Sequence, residues 1–379
     1  MNIQTPNAKR QAPIANAAPG DIDTTFELST IEPMNTDSNV TSDPVDRLTS
    51  NLAGRSAWII TDGKAGMVVQ ARGVADALGL NCEMKTVTPR GFSKYLAPWG
   101  TISSSERFGQ PDSAFAPPWP AVAIATGRAS IPYIRALKMA AGAACYTVVL
   151  QDPKSGPKTA DLIWVPQHDT LRGPNIITTP TSPHSFSATR MASLRKTIPP
   201  GIERLPGPRV TIIIGGKNSA YKFTEADDAR LEHALRSIAK LGVSFMITTS
   251  RRTHQRLLNA VDKATSSSPR ILWTGDGPNP YASFLAHADA LVVTADSVNM
   301  TGEACATGRP VHVFMPSGGS AKFTRFHDAL RAYGATRELP DEVAQLATWD
   351  YQPLDSARLI AQQIADRWQR RAMSQNEKN

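Results

Sequence analysis

The chain has 379 residues, 41% of them hydrophobic, which is enough for two domains that each have a core. No apolar run approaches the roughly 18 residues that a membrane-spanning helix needs, so we expect none. Three cysteines, far apart and in apolar settings, argue against a disulfide framework or a zinc site and favour reduced thiols in a cytoplasmic protein.

The net charge of +8 is unevenly distributed. Residues 1–50 carry three basic and seven acidic side chains, residues 51–210 carry 18 and 9, and residues 211–379 carry 20 and 17. The basic excess of the middle segment suits an anionic partner such as a phosphate, a nucleotide, an acidic glycan or an anionic lipid surface. Charge alone equally allows a solvated basic face that keeps the protein soluble.

Residues 1–50 mix Pro, Asn, Ala, Thr, Ser and Asp without a period, which predicts a disordered tail. This segment has neither the apolar core of a secretory signal nor the acid-poor, Arg-rich composition of a transit peptide. Both observations agree with a cytoplasmic location.

The first folded unit begins with a predicted strand at Ala57–Ile60, followed by a glycine loop at residues 61–66 and an amphipathic helix. Gly63 and Gly66 allow a ligand close to the backbone, and Lys64 offers a cation to an anion. The spacing matches neither G-x-G-x-x-G nor the Walker loop, so a tight turn without a ligand remains the alternative.

A long stretch without periodicity runs from Arg90 to Pro120, and loops of this length are usually functional or disordered. Interleaved aromatic and basic side chains are typical of an interfacial membrane contact or a lipid-linked acceptor site. Packing of the aromatic rings onto the sheet is the alternative. The side chains concerned are Arg90, Phe92, Lys94, Tyr95, Leu96, Trp99, Arg107, Phe108, Phe115 and Trp119.

Three further predicted strands of this half end in polar or titratable residues, and carboxyl ends of parallel strands meet at one sheet edge, where clefts form. Arg128 would hold a carboxylate or phosphate there. His168 is the main acid–base candidate because imidazole titrates near neutral pH, with a structural His–Asp turn as the alternative. The strands are Ala121–Thr126 before Gly127 and Arg128, Tyr146–Leu150 before Gln151 and Asp152, and Asp161–Pro166 before His168 and Asp169.

A linker rich in Pro, Ser and Thr at residues 180–208 precedes the second half. Its first predicted strand, Val210–Ile214, ends in Gly215, Gly216 and Lys217. The next strand leads into Ser250 followed by two arginines at the start of a helix. Such a pair is disfavoured by the helix dipole unless an anion is present, so it indicates an anion site.

Residues 288–316 read as strand, loop, helix and strand. The loop at Asp296 and Ser297 opens a helix that carries Met300 and Glu303, so free N–H groups and a hydroxyl lie at the carboxyl edge of a sheet, where α/β proteins bind phosphate. Glu303 would accept hydrogen bonds from two vicinal hydroxyls, as a carboxylate does on a ribose.

Several short motifs, taken together, resemble a known family. In chain order they are Trp58, TDGKAG at 61–66 with Gln70, ATGR at 125–128, QDP at 151–153, VPQHD at 165–169, IGG at 214–216, TSRRT at 249–253, NPY at 279–281 and TADS at 294–297. They resemble the mitochondrial-fission "elongated mitochondria" family and its bacterial counterparts, often labelled nucleoside-diphosphate-sugar epimerases, over roughly residues 55–370. Residues 288–316 also look like the donor-nucleotide half of GT-B glycosyltransferases such as the lipid-II-forming transferase.

The resemblance implies an α/β fold of two Rossmann-like domains facing a cleft. The implied boundaries are a disordered tail at 1–50, an acceptor-side domain at 51–205, a nucleotide-sugar-binding domain at 206–354 and a helix at 355–372. This last helix, with Asp355 as its N-cap, is expected to pack back on the first domain.

The resemblance also implies a donor site in the second domain, where the glycine pair approaches a diphosphate and Trp273 contacts the base, with core packing of Trp273 as the alternative. The implied donor-site residues are Gly215, Gly216, Lys217, Ser250, Arg251, Trp273, Asp296, Ser297, Met300 and Glu303. The implied acceptor-side residues are Gly63, Lys64, Gly66, Gln70, Gly127 and Arg128, with Asp62, Asp152 and His168 as catalytic candidates.

The expected activity is a glycosyl transfer that uses a nucleoside-diphosphate sugar and neither a metal nor another cofactor. We expect a lipid-linked or membrane-surface acceptor, peripheral association with the inner membrane face and no nucleic-acid partner. Met67 stands where lipid-II-type transferases have a His, and this departure favours the alternative of a non-catalytic adaptor with a vestigial transferase fold. An epimerase is a weaker alternative.

Overall fold

The computed structural model describes residues 49, 51–88, 96–102, 106, 108–109 and 113–376. The predicted tail at 1–50 lies outside these residues, apart from position 49. The same holds for Arg90, Phe92, Lys94, Tyr95 and Arg107 of the irregular stretch. Among the described residues, no helix has both the length and the apolar composition needed to cross a membrane.

The first half is a parallel sheet of six strands in the order β2-β1-β3-β4-β5-β6. Every residue of β3, β4 and β5 is buried, which agrees with their continuous apolar runs, since parallel sheets are covered on both faces. The elements are β1 (Ser56–Thr61), α1 (Ala65–Ala77), β2 (Asn81–Thr86), β3 (Val122–Thr126), α2 (Ile131–Ala141), β4 (Tyr146–Leu150), β5 (Leu162–Pro166) and β6 (Ile176–Thr179).

The second half is also a parallel sheet of six strands, in the order β12-β11-β10-β7-β8-β9. This is the Rossmann order. From β7, successive strands are added on one side up to β9, and the strands from β10 onward are added on the other side. The elements are α3 (Ala188–Lys196), α4 (Pro200–Glu203), β7 (Arg209–Ile214), α5 (Glu225–Ala239), β8 (Ser244–Thr249), α6 (Gln255–Thr265), β9 (Arg270–Trp273), α7 (Tyr281–Ala286), β10 (Ala290–Thr294), α8 (Val298–Cys305), β11 (Val311–Phe314), α9 (Ala321–Tyr333) and β12 (Thr336–Glu338). The expected α/β fold of two Rossmann-like halves is confirmed.

The last helix, α10 (Ser356–Asn376), contributes to the core of the first half. Ile360 and Ile364 are fully buried, and the helix contacts α1 and β6. Asp355 Oδ1 accepts a hydrogen bond from the Arg358 amide at 3.0 Å, the capping contact that the sequence predicts. After the second sheet, the chain therefore returns to the first half, where α10 packs.

The described aromatic side chains of the irregular stretch fall into two groups. Phe115 and Trp119 each lie edge-on to Trp58, with ring centroids 6.0 Å apart, and Phe108 stacks on Phe115 at 4.7 Å. Trp99, in contrast, is 64% exposed. Packing onto the sheet thus accounts for the first group and leaves Trp99 on the surface.

We expect Ile364→Ala to lower the free energy of unfolding by about 2–5 kcal/mol, because it removes a fully buried side chain and leaves a cavity between α10 and the first sheet. Urea denaturation followed by circular dichroism measures this change. Leu359→Ala is the control, since that side chain on the same helix is 46% exposed and its loss should change stability by less than about 0.5 kcal/mol. Equal effects of the two variants would contradict the packing of α10.

Candidate functional site

The point where the second sheet reverses its strand order is organised by one buried carboxylate, that of Asp296. Its Oδ2 accepts hydrogen bonds from the Gly216 amide at 3.0 Å and from Arg252 Nη2 at 2.8 Å, and its Oδ1 accepts from the Thr294 hydroxyl at 2.7 Å. The side chain of Asp296 is fully buried, whereas that of Arg252 is 41% exposed. Asp296 therefore joins the ends of β7 and β10 to the turn after β8.

The glycine pair after β7 is required by this same packing. A Cβ atom on Gly215 would lie 2.2 Å from Asp296 Oδ1, and one on Gly216 would lie 2.0 Å from the Arg252 carbonyl oxygen. Both distances are far shorter than any real contact, so neither position accepts a side chain. The sequence suggested that these glycines admit a diphosphate, but the atoms that fill the space belong to the protein. Their role in donor binding stays a prediction.

Helix α8 begins beside this point, capped by Ser297, whose Oγ accepts from the Met300 amide at 3.4 Å. Its first turn, Val298 and Asn299, lines a cavity between the two halves. Its next residues, Met300 and Glu303, line a second cavity inside the second half. Residues of one short helix thus line both cavities.

The second cavity, which we call the inner pocket, has a volume of about 210 Å³ and lies over the carboxyl ends of β7, β8 and β9. It brings together three predicted donor-site residues, Trp273, Met300 and Glu303. Sequence reasoning did not assign the other lining residues to the site, although the TSRRT and NPY motifs contain three of them. The additional lining residues are Ile213, Ile214, Thr248, Thr249, Asn279 and Tyr281.

Glu303 has unusual electrostatics for a carboxylate. Burial raises the pKa of Glu303 to about 7, and a hydrogen bond from the Tyr281 hydroxyl to Oε2 at 2.6 Å opposes part of this rise. Burial and the neighbouring Glu303 keep the pKa of Tyr281 well above its usual value, so Tyr281 stays protonated and donates. The protonation of Glu303 therefore changes close to neutral pH.

The cavity between the two halves, which we call the cleft, has a volume of about 380 Å³. It contains the predicted residues Lys64, Gly66, Gln70 and His168. Gln70 also spans the halves, since its Nε2 donates to Asn299 Oδ1 at 3.4 Å. The further lining residues are Met67, Gln151, Pro166, Asp169, Ser182, Val298, Asn299 and Lys322, of which only Asp169 and Lys322 carry a charge.

His168 is neutral and mostly enclosed. Burial, and secondly the nearby Lys322 ammonium, lower the pKa of His168 to about 4. Its exposed fraction is 6%, and among the described residues its Nδ1 has no hydrogen-bond partner. Lys322 Nζ lies 2.7 Å from Asp169 Oδ1, so Asp169 pairs with the lysine of α9 and not with the imidazole. The unpaired Nδ1 is itself buried, so it is not the ring atom that a ligand in the cleft would contact.

The other two catalytic candidates, Asp62 and Asp152, are each paired with the lysine two positions later. Lys64 Nζ lies 2.7 Å from Asp62, and Lys154 Nζ lies 2.7 Å from Asp152. Burial would raise the pKa of Asp152, but the hydrogen bonds from Lys154 outweigh it and hold that pKa below its usual range. A base of low pKa accepts a proton poorly, and neither carboxylate lines the cleft.

Several remaining predicted residues lie outside both cavities. Arg128 Nε donates to the Ala97 carbonyl at 2.6 Å, so this guanidinium supports the turn that carries Trp99. Gly127, at φ +90°, packs against the Asp62 carboxylate, and Gly63, at φ +80°, also has the left-handed backbone that favours glycine.

The polar groups that follow β7 and β8 lie at the mouth of the second half. Lys217 and Arg251 are exposed, and no hydrogen bond or ion pair joins either to another described residue. Ser250 is held locally, because its amide donates to Thr253 Oγ1 at 2.9 Å. The sequence analysis placed Arg251 in the donor site and left out Arg252, which is the arginine that binds Asp296.

Two Rossmann-like halves with a cavity between them define a two-lobed α/β protein. The sequence model of the family described as Mitochondrial fission ELM1 matches residues 65–368. The chain belongs to this family, as its motifs suggested.

Two curated relatives show the extent of this similarity. The chain is 30% identical to the mitochondrial fission protein ELM1 of Arabidopsis thaliana over 269 residues, which are 65% of this chain and 63% of the plant protein. It is 31% identical to the uncharacterized protein RP120 of Rickettsia prowazekii (strain Madrid E) over 158 residues, 40% of this chain and 45% of that protein. The matched part is therefore less than two thirds of either relative.

Solved structures with a related arrangement are more distant. MurG of Acinetobacter baumannii is 14% identical, covers 83% of this chain and 95% of its own, and has a TM-score of 0.43. The UDP-GlcNAc 2-epimerase of Methanocaldococcus jannaschii is 10% identical, covers 82% and 99%, and has a TM-score of 0.46. Likenesses of this size assign no residue role and no activity to this chain.

We expect Asp296→Ala to lower the free energy of unfolding by about 2–4 kcal/mol, because it leaves the Gly216 amide and the Thr294 hydroxyl without their acceptor and Arg252 without its counter-ion. Urea denaturation measures the loss. Asp328→Ala is the control, because that aspartate pairs with Arg331 on the surface, where an ion pair contributes less than about 1 kcal/mol. A loss no larger than that of the control would argue against the role of Asp296.

We expect His168→Gln to flatten the pH dependence of stability on the acid side. His168 titrates near 4 when folded and near 6.5 when unfolded, so between these values the unfolded chain binds more protons and stability falls as pH falls. The contribution is about 1.4 kcal/mol per pH unit inside this window and vanishes above it. Unfolding free energies measured from pH 4.5 to 8 test this, and identical slopes for variant and wild type would refute it.

Proposed function

We propose that the chain binds a nucleoside-diphosphate sugar along α8 and transfers the sugar to an acceptor in the cleft. The observation that carries this proposal is the position of α8, whose first turn faces the cleft while Met300 and Glu303 face the inner pocket. A ligand with an apolar ring, two vicinal hydroxyls, a diphosphate and a sugar presents its groups in the matching order.

The nucleoside would occupy the inner pocket. Trp273 offers a ring to a base, and Glu303 is the carboxylate that would accept from the ribose hydroxyls. The diphosphate would then lie at the capped start of α8, where helix N–H groups and the helix dipole favour negative charge. Arg251 and Lys217 are exposed cations without partners among the described residues, and their flexible side chains could bind the diphosphate.

The sugar and its acceptor would meet in the cleft. His168 is a cleft-lining imidazole that could orient an acceptor hydroxyl, and its low pKa keeps it neutral. Met67 lines the same cleft, and its sulfur accepts weakly from the Thr126 hydroxyl at 3.3 Å. A thioether takes up no proton and the pKa of His168 is about 4, so neither side chain is a strong base and the acceptor proton would pass to solvent.

In this reaction the acceptor oxygen forms a bond to the sugar carbon, the bond from that carbon to the diphosphate breaks, and the acceptor proton passes to solvent. The cations and the start of α8 would stabilise the departing nucleoside diphosphate without a bound metal. This is the metal-independent glycosyltransferase that the sequence suggests.

A second candidate, a docking or adaptor role at a membrane surface, is favoured by one observation. Trp99 and Met139 are 64% and 87% exposed, and the Arg135 guanidinium donates to the Trp99 carbonyl at 3.2 Å, which holds the turn beside α2. An exposed Trp near arginines suits an interface with anionic lipid.

We expect one of the uridine, guanosine, cytidine or thymidine diphosphates to raise the melting temperature of the wild type and to give a measurable heat in calorimetry. At about 100 times its Kd, the ligand should add roughly 2.7 kcal/mol of apparent stability. Glu303→Ala should lose this shift, because the ribose hydroxyls lose their acceptor. Glu338→Ala, which removes an exposed glutamate of β12, is the matched control and should retain it.

The absence of any shift at millimolar concentration, with all four ligands, would overturn the proposed transferase. The second candidate then predicts that the protein sediments with vesicles containing anionic lipid and that Trp99→Ala sediments less.

A further inference from the structure

Tyr281 is fixed at three points. Its amide donates to Asn279 Oδ1 at 3.0 Å, where α7 begins. Its ring lies edge-on to Phe186, in the connection between the halves, with centroids 6.0 Å apart. Its hydroxyl donates to Glu303 Oε2 at 2.6 Å. A phenol held at its backbone, at its ring and at its hydroxyl also fixes the carboxylate that it contacts.

This contact makes the two carboxylate oxygens of Glu303 different from each other. Oε2 is occupied by Tyr281, whereas Oε1 has no hydrogen-bond partner among the described residues. The carboxylate lines the inner pocket, so Oε1 is the oxygen that a ligand can reach. A single carboxylate oxygen has two lone pairs, which is what two neighbouring hydroxyls need.

The ionisation of Glu303 depends on the same contact. Hydrogen bonds donated to a carboxylate favour its ionised form, and Tyr281 is the donor that counteracts burial. Within the inner pocket the walls from β7, β8 and β9, together with Asn279 and Met300, contribute no ionisable side chain. Tyr281 and Glu303 are therefore the titratable groups that decide the charge of this pocket.

We propose that Tyr281 is a positioning residue for nucleoside binding, holding one oxygen of Glu303 so that the other is presented, ionised, to the vicinal hydroxyls of a ribose. The inference rests on the proposed nucleoside-diphosphate site and adds a property to it. Binding is coupled to the loss of one proton, so affinity rises with pH, and the hydroxyl of Tyr281 sets the pH at which this happens.

The test is isothermal calorimetry of the full chain with uridine, guanosine and cytidine diphosphates from pH 5.5 to pH 9. For the wild type, affinity should fall up to about tenfold per pH unit below the Glu303 midpoint near pH 7. Tyr281→Phe should move this midpoint upward by about one pH unit, because one hydrogen bond to the charged form is lost. Its affinity at pH 9 should stay below that of the wild type, because Glu303 Oε2 is no longer held.

Two variants serve as controls. Glu303→Gln cannot ionise, so its profile reports only the titration of the ligand's own phosphates, which is subtracted from the others. Tyr221→Phe removes a hydroxyl from another buried tyrosine of the second half, one whose ring packs on Phe323, and should keep the wild-type midpoint.

The outcomes separate the two proposals. An unchanged midpoint in Tyr281→Phe would overturn the inference while leaving the binding site in place. No binding to the wild type at any pH would instead overturn the proposed function, and the role of Tyr281 with it. The inference is supported if the midpoint rises in Tyr281→Phe and stays at the wild-type value in Tyr221→Phe.

Discussion

The buried carboxylate of Asp296 is the interaction on which the second half depends. It accepts from the Gly216 amide after β7, the Thr294 hydroxyl at the end of β10 and Arg252 after β8, so three strand ends are fixed to one charge. A buried charge is stable only when it is fully hydrogen-bonded. Here this condition sets the geometry at the point between β7 and β10 where the strand order switches sides. The direction in which α8 leaves β10 follows from it, because Ser297 caps that helix one residue after Asp296.

Helix α8 lines both cavities, while residues of α9 and Gln70 form contacts between the two halves. Lys322 pairs with Asp169 at 2.7 Å, and Arg325 Nε donates to the His168 carbonyl at 3.2 Å. The wall of the cleft that carries His168 is therefore held by the second half. A ligand along α8 would contact groups whose positions depend on both sheets, which is why the proposed donor and acceptor sites form one unit.

The sequence predicted polar groups for an anion at the carboxyl sheet edges but did not assign each residue its contacts. Gly215 and Gly216 look like glycines that admit a ligand, yet their missing side chains make room for Asp296 and the Arg252 backbone. Arg251 and Arg252 are adjacent and chemically equal, and only the turn after β8 decides which one reaches Asp296. Tyr281 is 22 residues from Glu303, and no periodicity indicates that its hydroxyl meets that carboxylate.

What the sequence by itself determined is the two-half α/β fold, most of its strands and helices and the cap at Asp355, because apolar runs, helical periodicity and capping residues act over a few neighbouring positions. Its short motifs determined the family. The sequence did not predict β6 and β12, nor α3 and α4, which lie in the predicted linker at 180–208. Only the tertiary structure decided which polar side chains converge. Glu303, Trp273 and Tyr281 come from helix α8, strand β9 and the start of helix α7, and His168 and Asn299 come from different halves. Burial and long-range contacts, such as those that raise the pKa of Glu303 and lower that of His168, exist only after the chain has folded.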